Sequence, residues 1–336
     1  GLAAGDAHPQ LSVHRGRLQM MLLDAVRERL GADAVRTGSG VTGFRQRTDG
    51  VVVDAAAGQV AGSALVGADG INSAVRATLH HADPAVRDAV VEIMLHWLRR
   101  GIAGWRLDVA YAVPADFWAD VLARVRSEFP DAMFLGEVIH GDYSSIGKAG
   151  SLDAVTQYEL WKATWSSLVD VNFWELAHAL ERHPADVLPN TFVGNHDVDR
   201  IASTVGEDKV VLAAAVLMTV PGMPSIYYGD EQGFTGVRGE SWSADDAVRP
   251  ALPASPAELS PLGGWLFTEY QRLIGVRRRN AWLTRATVQV LDKTNETISF
   301  LCGDGEHSLQ TDMWLTPTPG VRIHASGEEL YSWMLK

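Results

Sequence analysis

From about residue 84 onward, short apolar segments alternate with amphipathic helical segments, and this alternation restricts the folds open to the chain. Strands are predicted at 105–109, 133–137, 191–194 and 225–228, with one more between 150 and 172. Helices are predicted at 86–100, 116–129, 172–188, 209–219 and 263–280. Strands that alternate with helices form a parallel sheet covered by helices on both faces. The sequence therefore predicts an α/β architecture for this part of the chain.

The two ends of the chain follow other patterns. Apolar positions at helical spacing predict a helix over 15–31, and short alternating segments over 41–67 predict a small β-meander. From about residue 286 apolar and polar residues alternate again, in ATVQVLDKTNETISFLC. A small C-terminal β-domain is therefore predicted after the α/β part.

Composition excludes several classes of function. The net charge of −12 argues against a nucleic-acid partner and against binding to an anionic membrane surface. The longest uncharged run, 210–229, contains Pro221 and Pro224, so it predicts a buried helix, a turn and a strand rather than a membrane span.

Cys302 is the single cysteine, which excludes an internal disulfide. The chain starts at Gly1 without a charged-then-apolar leader, so we expect a cytoplasmic protein with a truncated N-terminus.

Three carboxylates follow short apolar runs in the predicted parallel sheet. Asp108 ends GWRLD, Glu137 ends MFLGE and Asp197 follows TFVGNH. In barrel enzymes the carboxyl ends of the strands carry the catalytic residues, and glycoside cleavage needs two carboxyl groups that flank the scissile bond. One acidic residue after an apolar run is more often a helix cap or a loop charge. Three in one predicted sheet favour a site that cleaves glycosides.

The motifs GWRLDVA, FLGEV and FVGNHD, in this order and with PGMPSIYYGDEQG and LIGVRRRN after them, resemble the alpha-amylase family of retaining glycoside hydrolases. The resemblance covers about residues 82–336. It implies a (β/α)8 barrel, here incomplete and limited to strands four to eight, with the β-domain after it. It also implies that Asp108 is the nucleophile, that Glu137 is the general acid/base and that Asp197 stabilises the transition state.

The same resemblance implies further contacts with the substrate, which would be an α-linked glucan or a maltooligosaccharide. Arg106 would orient the nucleophile, while Asn195 and His196 would bind sugar hydroxyls. His140, in GEVIHGD, is either a solvated loop residue or a substrate contact. Calcium-dependent relatives carry a His shortly after the nucleophile strand, where this chain has VAYAV, so no metal is predicted. Hydrolysis in this family requires no cofactor. Three aromatic residues at helical spacing predict core packing rather than a sugar platform: Tyr158, Trp161 and Trp165.

Residues 10–19 (QLSVHRGRLQ) and 65–76 (LVGADGINSAVR) resemble a different family, the flavin-dependent aromatic-ring monooxygenases. That resemblance implies that Arg15 and Gln19 contact the flavin and that Asp69 approaches its pyrophosphate and ribose. The dinucleotide site of such enzymes also needs a G-x-G-x-x-G turn at a helix N-terminus, which residues 1–80 lack. FAD is therefore expected as a cofactor only if residues 1–80 can still form a flavin site. We expect this fragment to bind flavin poorly.

Together the two resemblances predict a chimera with a junction near 78–83. The expected domains are a monooxygenase-like α+β fragment (1–80), a partial barrel (81–285) and the C-terminal β-domain (286–336). Three functions follow from this organisation. The first is a retaining hydrolase of α-linked glucans, the second an FAD-dependent monooxygenase fragment, and the third a fusion remnant without activity. The expected partner is a glucan, with no nucleic acid and no membrane.

Overall fold

A helix and a three-stranded antiparallel sheet form the first part of the chain. The computed structural model describes residues 15–36, 38–47, 50–65, 84–184, 186–239 and 245–336. The elements are helix α1 (Arg15–Leu30) and strands β1 (Val41–Arg47), β2 (Gly50–Ala55) and β3 (Gly58–Gly62), paired in chain order. The predicted helix and β-meander are confirmed. The side chains of Arg15 and Gln19, all of Asp69 and the predicted junction lie outside the described part of the chain.

A five-stranded parallel sheet organises the longer of the two units into which the chain divides, Gly1–Val86 and Arg87–Lys336. Its strands pair in chain order: β4 (Gly104–Leu107), β5 (Met133–Gly136), β6 (Ala154–Thr156), β7 (Leu188–Phe192) and β8 (Met223–Ser225). Each predicted strand has a counterpart, including the one expected between 150 and 172. The bounds predicted for the last two are wrong, because β7 and β8 begin before 191 and 225 and β8 shares only Ser225 with its prediction. The predicted parallel α/β architecture is therefore confirmed for this part of the chain.

Helices alternate with these strands. They are α2 (Pro84–Leu98), α3 (Ala115–Glu128), α4 (Tyr143–Ala149), α5 (Tyr158–Val169), α6 (Phe173–Glu181), α7 (Ile201–Val205), α8 (Val210–Thr219) and α9 (Gly264–Arg279). The prediction of one helix over 172–188 is wrong at its C-terminal end, because α6 ends at Glu181. Pro184 accounts for the difference, since a proline disfavours helical backbone at the residue before it.

Helix α8 forms the centre of the core. Every residue from Val210 to Thr219 is at most 2% exposed, as expected for a helix that is apolar on all sides. It packs against α9 and the C-terminal sheet. Arg277 of α9 donates hydrogen bonds to the carbonyls of Val220 (2.6 Å) and Gly222, just beyond the end of α8. Backbone carbonyls past a helix end need such donors when they are buried.

An antiparallel sheet completes the C-terminal part. Its strands pair with their chain neighbours: β9 (Thr287–Lys293), β10 (Thr297–Gly303), β11 (Ser308–Trp314), β12 (Gly320–Ala325) and β13 (Glu328–Met334). Strands β10 and β11 bury every second residue, which is the period of a sheet with one face on a core. The predicted β-domain is confirmed. Among the described helices, none is long and apolar enough to cross a membrane.

Candidate active site

Asp108 and Glu137 lie next to each other at the carboxyl ends of two paired strands. In the β4–β5 pair Leu107 is opposite Gly136, so the next residue on each strand is a carboxylate. The backbone N–H of Glu137 donates to the carbonyl of Leu107 at 2.9 Å, which continues the ladder by one residue. Strand register alone therefore brings together two carboxylates that are far apart in sequence.

Arg106 links these two carboxylates. One terminal nitrogen of its guanidinium lies 2.6 Å from Asp108 Oδ1, and the other lies 2.8 Å from Glu137 Oε1. The two acids differ in environment, because the side chain of Asp108 is 71% exposed and that of Glu137 only 4%. A planar guanidinium fixes the geometry of the groups it binds. The result is one exposed and one buried carboxylate held by the same cation.

Strained backbone lies directly after Asp108. Val109 has φ of 48°, in the left-handed region that a β-branched residue rarely adopts. In this conformation its N–H donates to Glu137 Oε2 at 2.9 Å. Such strain has a cost of roughly 1–3 kcal/mol and clusters at functional sites. Val109 therefore helps to orient the buried carboxylate.

Tyr158 is a second donor to Glu137. Its side chain is buried, as the prediction of core packing requires, but its hydroxyl also donates to Glu137 Oε1 at 3.1 Å. Asn195 Nδ2 donates to the same hydroxyl at 3.0 Å. Burial, and then the charge of Glu137, raise the pKa of Tyr158, so its hydroxyl keeps its proton. Tyr158 thus belongs to the candidate site as well as to the core.

Asp197 is held from several directions. Its N–H donates to Asn195 Oδ1 at 2.8 Å, and His196 Nε2 lies 3.2 Å from Asp197 Oδ2. Arg249 donates to Asp197 Oδ1 at 2.9 Å and to the carbonyl of His196 at 2.7 Å. The segment from 195 to 197 is therefore fixed by its own side chains and by an arginine from a later loop.

A cleft of about 390 Å³ is lined by residues of the parallel sheet and of this site. Its walls include side chains from strands β5 to β8 as well as site residues. The site residues that line it are Arg106, Tyr158, Asn195 and His196. Its volume lies in the range of small-ligand sites, roughly 300–1,000 Å³. Arg106 and Tyr158 connect this cleft to the two carboxylates.

A buried ion pair supports the loop that carries Asp197. Arg200 and Asp230 are 1% and 0% exposed, and a guanidinium nitrogen lies 3.0 Å from Asp230 Oδ1. The same nitrogen donates to the carbonyl of Tyr228 at 2.5 Å, and the guanidinium lies 4.1 Å from the ring centre of Tyr227. Burial raises the pKa of Asp230 to about 6, although Arg200 acts in the opposite direction. The pair ties the loop after β7 to the loop after β8.

Gly194 provides the space for this ion pair. A Cβ added at Gly194 would lie 2.3 Å from Asp230 Oδ2. We expect Gly194→Ala to lower the free energy of unfolding by roughly 1–3 kcal/mol, because Asp230 is buried and bonded to Arg200 and cannot move aside cheaply. Urea unfolding of both proteins measures the difference. Gly264→Ala is the control, since a Cβ there meets nothing within 4 Å. Equal stabilities of the Gly194 variant and the parent would contradict the expectation.

The remaining sequence predictions fall outside this cluster. His140 is exposed and lies edge-on to Tyr111, with 5.1 Å between the ring centres. Among the described residues there is no group of three or more His, Cys, Asp or Glu that could hold a metal ion. The structure therefore places His140 at the surface beside the two carboxylate strands, against another aromatic ring.

Comparison with known proteins decides the family. The family model of the alpha amylase catalytic domain matches residues 71–259, more than half of the 336 residues. The chain belongs to the alpha-amylase family. It is 31% identical over 229 residues to a cyclomaltodextrinase from Geobacillus thermopakistaniensis, a match that covers 65% of this chain and 37% of that protein. This alpha-amylase family chain therefore spans little more than a third of the length of that relative.

A solved structure and a second protein extend this comparison. The debranching enzyme from Nostoc punctiforme superimposes with a TM-score of 0.63 at 25% identity, over 76% of this chain and 60% of that one. A phenazine 1,6-dicarboxylic acid hydroxylase from Lysobacter antibioticus is 58% identical over 87 residues, which are 24% of this chain and 21% of that protein. This alpha-amylase family chain is therefore also similar, over about a quarter of its length, to a hydroxylase.

Two residues of the site have no signal in the sequence of this alpha-amylase family member. Tyr158 is the first residue of a helix and has the spacing of a core residue. Only the hydrogen bond from its hydroxyl to Glu137 identifies it as a site residue. Arg249 lies 52 residues after Asp197, in a loop without an apolar run before it. A pattern of strand ends cannot find such residues, because they reach the site from a helix and from a loop.

Proposed function

We propose that this chain is a retaining hydrolase of α-linked glucans. The observation that carries the proposal is the Arg106 guanidinium bound to one exposed and one buried carboxylate on adjacent parallel strands. Retaining glycosidases place two carboxyl groups about 5–5.5 Å apart, one as nucleophile and one as general acid/base. Two carboxyls bound to neighbouring nitrogens of one guanidinium suit that geometry. Double displacement of this kind needs no cofactor.

Each carboxylate receives its role from its surroundings. Asp108 is the nucleophile, because it is exposed to incoming substrate and oriented by Arg106. Glu137 is the general acid/base that protonates the leaving oxygen and then removes a proton from water. Asp197 and His196, in the loop after β7, bind sugar hydroxyls. Asn195 connects this loop to Tyr158, because its side chain donates to the Tyr158 hydroxyl and accepts from the Asp197 N–H. His140 is a further proposed substrate contact, at the surface and with its ring against Tyr111.

We also propose that the chain contains three domains. We place strands four to eight of a family barrel in 81–285 and the β-domain in 286–336, because five parallel strands pair in chain order. Residues 1–80 are proposed to be a monooxygenase-like fragment. The hydroxylase similarity over 24% of the chain supports this assignment. In this organisation an inactive fusion remnant is the competing possibility.

Hydrolysis of maltooligosaccharides tests the proposal against that competitor. We expect glucose and short oligosaccharides to be released, and the first-formed reducing ends to be α-anomers when followed by proton NMR. Retention is expected because two successive displacements at one carbon restore its configuration. Release of β-anomers, or no release at any protein concentration, would overturn the proposal. In the second case the remnant interpretation stands.

Glu137→Gln tests the role of the buried carboxylate. We expect hydrolysis of maltooligosaccharides to fall by roughly 10²–10⁴-fold, the usual contribution of a general acid. An aryl α-glucoside with an acidic phenol needs no protonation of its leaving group, so its first step should fall far less. Single-turnover release of the phenol measures that step. Equal losses on both substrates would show that Glu137 is structural.

The hydroxylase similarity supports one secondary candidate, flavin binding by residues 1–80. Arg15, Gln19 and Asp69 are the proposed contacts with FAD. Absorbance of the purified protein in the visible region tests it. We expect a colourless protein, because residues 1–80 contain no G-x-G-x-x-G turn. Stoichiometric bound flavin would make this candidate the leading one.

A further inference from the structure

The outer face of helix α2 carries a row of exposed apolar side chains. Ile93 and Trp97 are 55% and 47% exposed, although both are large and apolar. Ala89 is also exposed and continues this row, since the three positions are four residues apart and share one face of the helix. The opposite face is buried and includes Val91, Met94, Leu95 and Leu98. Helix α2 therefore has two apolar faces, of which one is packed and one is open.

A second row on the open face changes its charge along the helix. Asp88 and Glu92 are exposed in the first half, and His96 and Arg100 are exposed at the same spacing of four residues in the second half. A helix whose charges run from acidic to basic is complementary to an antiparallel copy of itself. The same order of charges also suits the helix dipole, so it indicates a partner only in combination with the apolar row.

Contacts within the described part of the chain leave these charges open to another molecule. The Glu92 side chain is 72% exposed, and its carboxylate lies 4.0 Å from Arg99. Among the described residues, Arg100 forms no ion pair with a carboxylate. It donates instead to His96 Nε2 at 2.5 Å, and its guanidinium lies 5.7 Å from the ring centre of Trp97. An acid and a base on the same face thus remain available beside the apolar row.

The geometry points to a homodimer in which two copies of this chain pack their α2 helices antiparallel, about a two-fold axis near Ile93. Side chains four residues apart form ridges that fit the grooves of a second helix. In this arrangement Trp97 of each copy covers the small Ala89 of the other, and Asp88 of each copy faces Arg100 of the other. The partner is a second copy because α2 matches itself both in side-chain size and in charge. The dimer does not depend on the proposed hydrolysis of glucans.

Sedimentation velocity over a range of protein concentrations tests the dimer. We expect a concentration-dependent dimer and no larger assembly, since a two-fold interface uses the same patch on both copies. Trp97→Ala should raise the dissociation constant of the dimer by roughly tenfold or more, because a tryptophan at the centre of an interface contributes strongly to binding. Trp174→Ala is the matched control, since Trp174 is a 53% exposed tryptophan on α6, and it should leave that constant unchanged. Thermal melting shows whether each variant keeps its fold.

An exchange of charges tests the antiparallel arrangement. Asp88→Arg places two bases opposite each other and Arg100→Asp places two acids, so each variant should weaken the dimer. The double variant Asp88→Arg, Arg100→Asp restores an acid opposite a base at both positions and should recover most of the affinity. An effect of net charge alone would differ. Because the chain carries −12, Asp88→Arg would then strengthen the dimer and only Arg100→Asp would weaken it.

Each outcome supports or overturns the dimer. It is overturned if the chain sediments as a monomer at every concentration, or if assemblies grow beyond two copies. It is also overturned if Trp97→Ala leaves the dissociation constant unchanged, because another surface then forms the dimer. Failure of the double variant to recover affinity overturns the antiparallel arrangement. Weakening by Trp97→Ala together with recovery in the double variant supports the inference, whether or not the same protein hydrolyses maltooligosaccharides.

Discussion

Asp108→Asn is expected to abolish hydrolysis of maltooligosaccharides by a chain that otherwise cleaves them, and to leave the fold intact. The amide cannot attack the anomeric carbon, so the covalent intermediate of double displacement does not form. Because the Asp108 side chain is 71% exposed, its replacement by a residue of the same shape should change the free energy of unfolding by no more than about 0.5 kcal/mol. Initial rates and urea unfolding measure the two effects.

A matched control separates the role of Asp108 as nucleophile from a general effect of losing a charge. Asp186 is also exposed and also forms an ion pair, with Lys148 at 2.7 Å. Asp186→Asn should therefore keep the full rate. If the Asp108 variant kept the parental rate as well, Asp108 would not be the nucleophile. If it lost activity and stability together, the residue would be structural.

Arg200→Met is expected to cause the largest loss of stability, roughly 3–5 kcal/mol at pH 8. Removing one partner of a buried pair leaves the other charge uncompensated in the interior. Here that charge is Asp230, which is 0% exposed. Urea unfolding measures the loss. Since a loss of this size can prevent folding, the double variant Arg200→Met, Asp230→Asn should be made in parallel, and it should recover most of the stability.

The penalty of Arg200→Met should depend on pH. Burial already raises the pKa of Asp230 to about 6, above the unfolded value of about 3.9. A raised pKa means that the folded state binds the proton more tightly, so this group stabilises the fold at low pH and loses that contribution as pH rises through about 6. Loss of Arg200 removes the opposing influence and raises the pKa further. The variant should therefore be closer to the parent at pH 5 than at pH 8, and a penalty independent of pH would contradict this account.

Local patterns in the sequence were enough to locate the main elements and the candidate carboxylates. Helical spacing predicted α8 and α9, because an apolar stripe or a fully apolar segment must be buried. A short apolar run that ends in Asp108 or Glu137 predicted a strand with a carboxylate after it, because strand and side chain are neighbours in the chain. The spacing of apolar residues does not predict the end of α6, because Pro184 disfavours helical backbone before it without interrupting the apolar pattern.

The alternation of strands and helices, the carboxylates at strand ends and the resemblance to a family can all be read from the order of residues. The groups that contact these carboxylates follow from the packing of elements that are distant in the chain. Tyr158 reaches Glu137 across 21 residues, and Arg249 reaches Asp197 across 52. The pair of Arg200 with Asp230 and the space at Gly194 arise in the same way. Local periodicity reports on which face of an element is buried, whereas a hydrogen bond between distant residues depends on how separate elements pack, and no local pattern records that.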